Sequence, residues 1–154
     1  MLIGIIVLKY NKYLGIKHNY LETNCITLID FIYKQELSCN IFDDLWSFLS
    51  LPKGQVLDNR TWMRRFSLEL LEEWASKVAI KVNLTTTKEY DVIIFKSQRM
   101  LPIHFGMYIG MNRFIHVEEG SYSRIAVLDQ FWRDRIANIW RVTGINTLEP
   151  PLDT

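Results

Sequence analysis

Cysteine and histidine are scarce in this chain. Two thiols, Cys25 and Cys39, are too few for a disulfide-built scaffold and too few for a four-cysteine zinc site. Three imidazoles, His18, His104 and His116, complete a short inventory of nucleophiles and bases. An excess of one charge is missing too: 18 basic residues against 17 acidic ones leave a formal charge of +1. There is no net basic field to gather nucleic acid and no acidic tail. Long apolar runs are also absent. The first, from Leu2 to Leu8, stops at Lys9, far short of the about 18 residues that span a bilayer. It has neither the basic n-region nor the small-residue cleavage site of a signal peptide, and is expected to be a buried strand or a first helical turn. No repeat, low-complexity tract or linker divides the 154 residues, which suit one domain.

What is present is a change of period along the chain. From Cys25 to Leu37 the apolar positions 25, 28, 29 and 32 follow helical spacing, and Thr23 or Asn24 can cap the first turn. Cys25 then lies at a helix N-terminus, on the inward face. The pattern weakens from Asn40 to Asn59, with a turn at Pro52-Lys53-Gly54. A second helix is predicted from about Thr61 to Ala79, where Trp62, Phe66, Leu70, Trp74 and Val78 recur every fourth residue. Beyond a loop or strand end at Thr85-Thr86-Thr87 the period becomes extended, so helices precede a sheet and the class is α+β.

Asp91-Val92-Ile93-Ile94-Phe95 is the continuously apolar run of a central strand. Ile103, Phe105, Met107 and Ile109 alternate with His104, Gly106 and Tyr108, so the two sets occupy opposite faces of a strand. Gly110-Met111-Asn112 reads as a hairpin loop, with Arg113 to Glu118 returning. Arg124 to Leu128 is a further strand. Asp129 caps a short helix with Phe131, Trp132 and Ile136, and Asn138 to Val142 is the last strand before an irregular Pro150-Pro151 tail.

Chemistry enters with the hairpin. A three-residue loop pairs Ile109 with Arg113, sets His116 opposite Gly106, and makes His104 and His116 diagonal neighbours on one face. Gly106 would leave an empty place beside His116 for a third group or a substrate. A two-residue loop would put the histidines on opposite faces. The third group is expected to be Cys25, whose pKa the helix N-terminus and a nearby imidazole lower. Thiol, base and orienting group make an activated nucleophile, with His104 the base and His116 the orienter. Two other readings fit the same residues: Cys25 as an ordinary small core residue, and Cys25, His104 and His116 as zinc ligands without the usual paired spacing.

Longer stretches carry a resemblance. Tyr13-Leu14-Gly15-Ile16 leading to Asn24-Cys25, with the helix through Tyr33 and Glu36-Leu37, resembles the nucleophile region of NlpC-type, papain-like cell-wall cysteine peptidases. It is most similar to the small members encoded among the tail genes of tailed bacteriophages. Asp91 to Phe95 resembles the strand before the family's histidine. Pro102-Ile103-His104-Phe105-Gly106 through Gly110 resembles the strand that carries the base, and Arg113-Phe114-Ile115-His116-Val117 the strand with the third polar residue. Ser123-Arg124-Ile125 through Trp132 to Trp140-Arg141 continues the tail-type pattern, so the likeness covers about residues 13 to 142. Asn24 stands where the family usually has aspartate, Ile26-Thr27 where Ser-Gly or Trp-Gly follows, and Glu89-Tyr90 where Pro-Gly often precedes the central strand.

The resemblance implies a papain-like α+β fold, with N-terminal helices packed on a small antiparallel sheet, as one NlpC-like peptidase domain over residues 1–154. It implies catalytic Cys25, His104 and His116, and Tyr13 either beside the substrate or as a packing tyrosine, with no metal and no cofactor. The implied substrate is the peptidoglycan stem peptide, typically at the D-glutamyl to diamino-acid bond. The implied partners are phage tail-tip or baseplate proteins, with no nucleic acid and no stable membrane insertion. Such a protein would be made in the host cytoplasm, carried in the virion tail and act at the host cell wall, as a peptidase or as a structural tail component. Cys39 matches no site of the family and is expected to be an ordinary thiol, and His18, in a His-Asn-Tyr run, is expected to be a structural or surface loop residue.

Overall fold

The computed structural model describes residues 2–18, 24–48, 68–97 and 103–144. Helix α1 (Leu2–Tyr10) is followed by a 3-10 turn at Asn11–Tyr13, then α2 (Cys25–Leu37), α3 (Ile41–Phe48) and α4 (Leu68–Val78). The apolar start is helical but not buried: Ile5 is 63% and Leu8 77% exposed. The helix is held at its end, where the buried Tyr10 donates its hydroxyl to Glu89 at 2.5 Å and Lys9 pairs with the same carboxylate at 2.6 Å. Among the described residues no helix is long and apolar enough to cross a membrane.

Helix α2 begins where its cap dictates. Asn24 Oδ1 accepts the N–H groups of Ile26 and Thr27 at 3.0 and 2.9 Å, and Thr27 Oγ1 accepts the Asn24 N–H at 2.7 Å. This reciprocal box satisfies donors that a helix start otherwise leaves open, a contribution of about 1 kcal/mol. The helix stops at Ser38, in the left-handed region at φ 49°. Its inward face buries Cys25, Leu28, Ile29, Ile32 and Tyr33 against the sheet. Helix α3 falls in the stretch where the periodicity weakens, and is anchored by the buried Phe42 and Leu45. The helix expected from Thr61 is described from Leu68. It ends at Val78 because Ala79 opens a strand. The Pro52-Lys53-Gly54 turn and the Pro150-Pro151 tail lie outside the described residues.

The sheet contains β1 (Ala79–Val82), β2 (Val92–Lys96), β3 (Ile103–Gly110), β4 (Arg113–His116), β5 (Arg124–Val127) and β6 (Ile136–Val142). Its order is β1-β6-β2-β3-β4-β5, with every pairing antiparallel. The helices cover one face. On the other, Ile93, Phe95, Phe114, Leu128 and Ile139 form a second core, with Trp132 of the short helix α5 (Gln130–Arg133) packed on it. Interior β2 has both faces covered, which is why its apolar run does not alternate. Asp129 caps α5 as expected, but Ile136 belongs to β6 rather than to that helix. β6 is not at an edge: it lies between β1 and β2.

The β3–β4 turn departs from expectation in a way that preserves its consequence. Gly110 pairs with Arg113, so the loop is the two residues Met111 and Asn112, both at positive φ (53° and 58°). That backbone suits the twist of a tight hairpin. A bulge between Tyr108 and Gly110 then absorbs one residue, leaving Tyr108 opposite Phe114 and Met107 opposite Ile115. Continued one step, this register sets His116 opposite Gly106 and returns both histidines to one face. The place at Gly106 is not empty, however. A Cβ there would meet Phe114 Cδ2 at 2.8 Å and Phe95 Cε2 at 3.1 Å. Gly106→Ala is expected to destabilise the protein by about 1–3 kcal/mol through overpacking, read as a lower urea midpoint with an unchanged denaturant slope.

Candidate active site

Cys25 occupies the first turn of α2 and is only 5% exposed. Cys25 shares the core with Ile103 and Phe105, the residues on either side of His104, so α2 sets the thiol against β3. The Asn24 cap takes the N–H groups of Ile26 and Thr27 and not that of Cys25. Burial pushes the Cys25 thiol up to about 11, against the backbone N–H groups of Phe105, Cys25 and Ile26, which act the other way. This corrects the expected net lowering at a helix N-terminus: desolvation outweighs the local dipoles, and the resting thiol keeps its proton at neutral pH.

The histidines meet directly. His104 Nε2 lies 2.8 Å from His116 Nδ1. His104 is half-buried, stacked on Phe95 and Trp132 at centroid distances of 5.9 and 6.0 Å. His116 is fully buried and meets Trp132 edge to face at 4.9 Å. Its pKa is pushed down to about 2, first by burial and then by the charges of His104 and Arg124. His116 is therefore neutral throughout the physiological range. Its Nε2 has no hydrogen-bond partner among the described residues. For His104 to accept a proton on Nδ1, its Nε2–H must donate to His116 Nδ1, which places the His116 proton on that unpartnered Nε2.

Cys25 and His104 open onto a single cavity of about 480 Å³, whose walls include Lys96, Arg124, Trp132 and Arg135. His116 sits behind His104 rather than on the cavity wall. His18, expected as a structural or surface loop residue, also lines the cavity; its pKa is lowered by burial. The placement of Tyr13 corrects its expected substrate contact. Its side chain is fully buried, its hydroxyl donates to Glu36 at 2.6 Å, and its ring packs edge-on to Phe31. It supports α2 from behind. Cys39 is half-buried beside the core and away from the cavity wall. Among the described residues no group of three or more His, Cys, Asp or Glu side chains is arranged to hold a metal ion.

Sequence reasoning placed Trp132 on its short helix but did not see it as the cover over both imidazoles. It missed Lys96 and Arg135 as cavity residues altogether. Their cavity positions come from strands and turns that converge only in three dimensions, and no local spacing signals them.

No protein-family model matches the sequence, and no curated protein matches it. Solved structures do. An NLP/P60-family protein from Staphylococcus aureus, described as similar to a lipoprotein, superposes with a TM-score of 0.53 at 17% identity, over 91% of this chain and 41% of its own. An NlpC/P60 family protein from Bacillus cereus gives 0.54 at 17% identity, over 89% and 39%. The NlpC/p60 domain of the peptidoglycan hydrolase SagA gives 0.53 at 15% identity, over 90% of this chain and 97% of that domain. The chain spans about two fifths of the length of the first two. It has an α+β papain-like fold of the NlpC/P60 type.

His116 is held far below its ordinary 6.5, so the unfolded chain binds the extra proton first. Its contribution to stability is complete above pH 6.5 and is lost as pH falls from there toward 2. Stability is expected to be about 2 kcal/mol lower at pH 5 than at pH 8 from this group alone. His116→Asn should flatten that dependence in urea titrations; an unchanged slope would show that the imidazole is not buried neutral. For Cys25, iodoacetamide labelling of a Cys39→Ala protein should be slow at pH 7. It should still be rising past pH 10, where an ordinary thiol has levelled off. A plateau by pH 8 would contradict the raised thiol.

Proposed function

We propose that this chain is a cysteine peptidase that cleaves an amide bond in the peptidoglycan stem peptide, with Cys25 as nucleophile, His104 as base and His116 as orienting group. The observation that carries this reading is the convergence of Cys25 and His104 on one cavity, with the second nitrogen of His104 held at 2.8 Å by a neutral His116. The fold shared with NlpC/P60 proteins, one of them a peptidoglycan hydrolase domain, supports the substrate class.

The chemistry follows from a protonated resting thiol. As the sulfur attacks the amide carbonyl, its proton passes to His104 Nδ1, and the carbonyl oxygen becomes an oxyanion beside the Cys25 N–H at the start of α2. His116 Nδ1 accepts the hydrogen bond of the imidazolium and, being buried and neutral, does not compete for the proton. Collapse of the tetrahedral intermediate expels the amine, which takes the proton from His104, and leaves a thioester on Cys25. Water, deprotonated by His104, then releases the acid and restores the thiol. Because burial opposes a free thiolate, proton transfer and attack are coupled to substrate entry.

The likeness of residues 13–142 to tail-encoded members supports a role in a phage tail, opening the host wall during entry, with tail-tip or baseplate proteins as partners. A second reading, a structural tail component on a peptidase fold with weak or no hydrolysis, is favoured by the exposed apolar side of α1 at Ile3, Ile5, Val7 and Leu8.

Incubation with purified peptidoglycan and mass analysis of the soluble products separates the two. Stem-peptide fragments are expected from the parent protein, with release reduced about 10³-fold or more in Cys25→Ala and in His104→Ala. No release by the parent, together with stable binding to neighbouring tail proteins, would establish the structural role instead.

A further inference from the structure

The cavity beside Cys25 is not electrically uniform. Arg124 is spent locally, its Nη2 lying 2.7 Å from Glu118 Oε1. Lys96 and Arg135 also line the cavity, and neither has a carboxylate partner among the described residues. The two are fixed side by side: the Lys96 N–H donates to the Arg135 carbonyl at 2.7 Å, joining the end of β2 to the turn that leads into β6. Arg135 is also pinned. Its Nη1 donates to the Phe131 carbonyl at 2.6 Å, and its guanidinium carbon stands 3.5 Å from the centroid of the Phe131 ring. A guanidinium held this way loses little freedom on binding an anion, and with Glu118 and Glu119 set against Lys96, Arg124 and Arg135 the cavity wall still keeps a net positive charge.

Their position relative to the chemistry is set by the ladder. Phe95 pairs with His104 and Lys96 with Ile103, so the cations lie on the β2 flank of His104. His116 lies on the opposite flank, on β4. We infer that Lys96 and Arg135 form a carboxylate subsite, which grips an anionic group of the peptide substrate beside the scissile bond and makes the protein prefer stem peptides with free carboxylates over amidated ones. This rests on the peptidase reading for the peptide nature of the ligand. The subsite itself acts in binding, so it can be tested without turnover.

The test uses Cys25→Ala protein and two synthetic probes, the tripeptide L-alanyl-γ-D-glutamyl-L-lysine with free carboxylates and the same peptide with both as carboxamides. Binding is followed by calorimetry at low and at moderate salt. The acid is expected to bind about tenfold more tightly than the amide, with the ratio shrinking as salt rises. Adding Lys96→Gln and Arg135→Gln should bring the acid down to the affinity of the amide. The amide's own affinity should stay unchanged, which shows that the cavity has kept its shape. Equal binding of acid and amide by the Cys25→Ala protein, or a preference that survives both substitutions, would overturn the subsite. Hydrolysis of peptidoglycan by the parent without any acid preference would do so too, while leaving the peptidase reading intact. An acid preference in a parent protein that hydrolyses nothing would support the subsite and remove the hydrolase.

Discussion

The contact between His104 and His116 is the constraint on which the candidate site depends. It requires two side chains on adjacent antiparallel strands to share a face, and strand pairing allows that only in alternate registers. The turn alone selects the wrong one, since a two-residue loop at Met111-Asn112 would turn the histidines apart. The bulge before Gly110 moves the ladder by one residue and reverses the outcome. A local irregularity in the backbone thus decides whether the two imidazoles meet.

Burial gives the pair its character. Phe95, Phe114 and Trp132 surround the two rings and keep water from His116, which is left with one unpartnered nitrogen. An unsatisfied buried polar group of this kind costs about 1–3 kcal/mol. The same desolvation prevents His116 from taking a proton, so any positive charge in the pair resides on His104, the imidazole that faces the cavity. Desolvation acts on Cys25 in the same sense, holding the thiol neutral. The ground state carries little charge, and charge separation is left to the moment when substrate dipoles and the α2 backbone can stabilise it.

Much of this frame was legible in the sequence. The Asn24 cap and the spacing of Leu28, Ile29 and Ile32 marked α2; the uninterrupted Val92-Ile93-Ile94-Phe95 run marked a strand covered on both faces; the alternation from Ile103 to Ile109 assigned His104 to its side. What escaped depends on distant partners. Ala79 reads as the end of a helix until Val142 pairs with it. Ile41–Phe48 has too short a pattern to declare itself before Phe42 and Leu45 find the core. Tyr13 sits in a segment that resembles an active-site border, yet Glu36 draws its hydroxyl inward. Gly106 suggested a vacancy because the rings that fill its place, Phe95 and Phe114, reach it diagonally from the flanking strands and not from the positions paired with it.

The place of β6 has a consequence for synthesis. It is the last described strand in the chain, yet it lies inside the sheet, between β1 and β2. Until it emerges, β2 has only β3 beside it, and Trp132, which covers both imidazoles, has only just left the ribosome. Cys25 is made before its histidine partners, and the strand that completes their support after them. A growing chain therefore carries Cys25 without its imidazole partners until His116 has been added, and the sheet behind them is complete only when β6 has joined it.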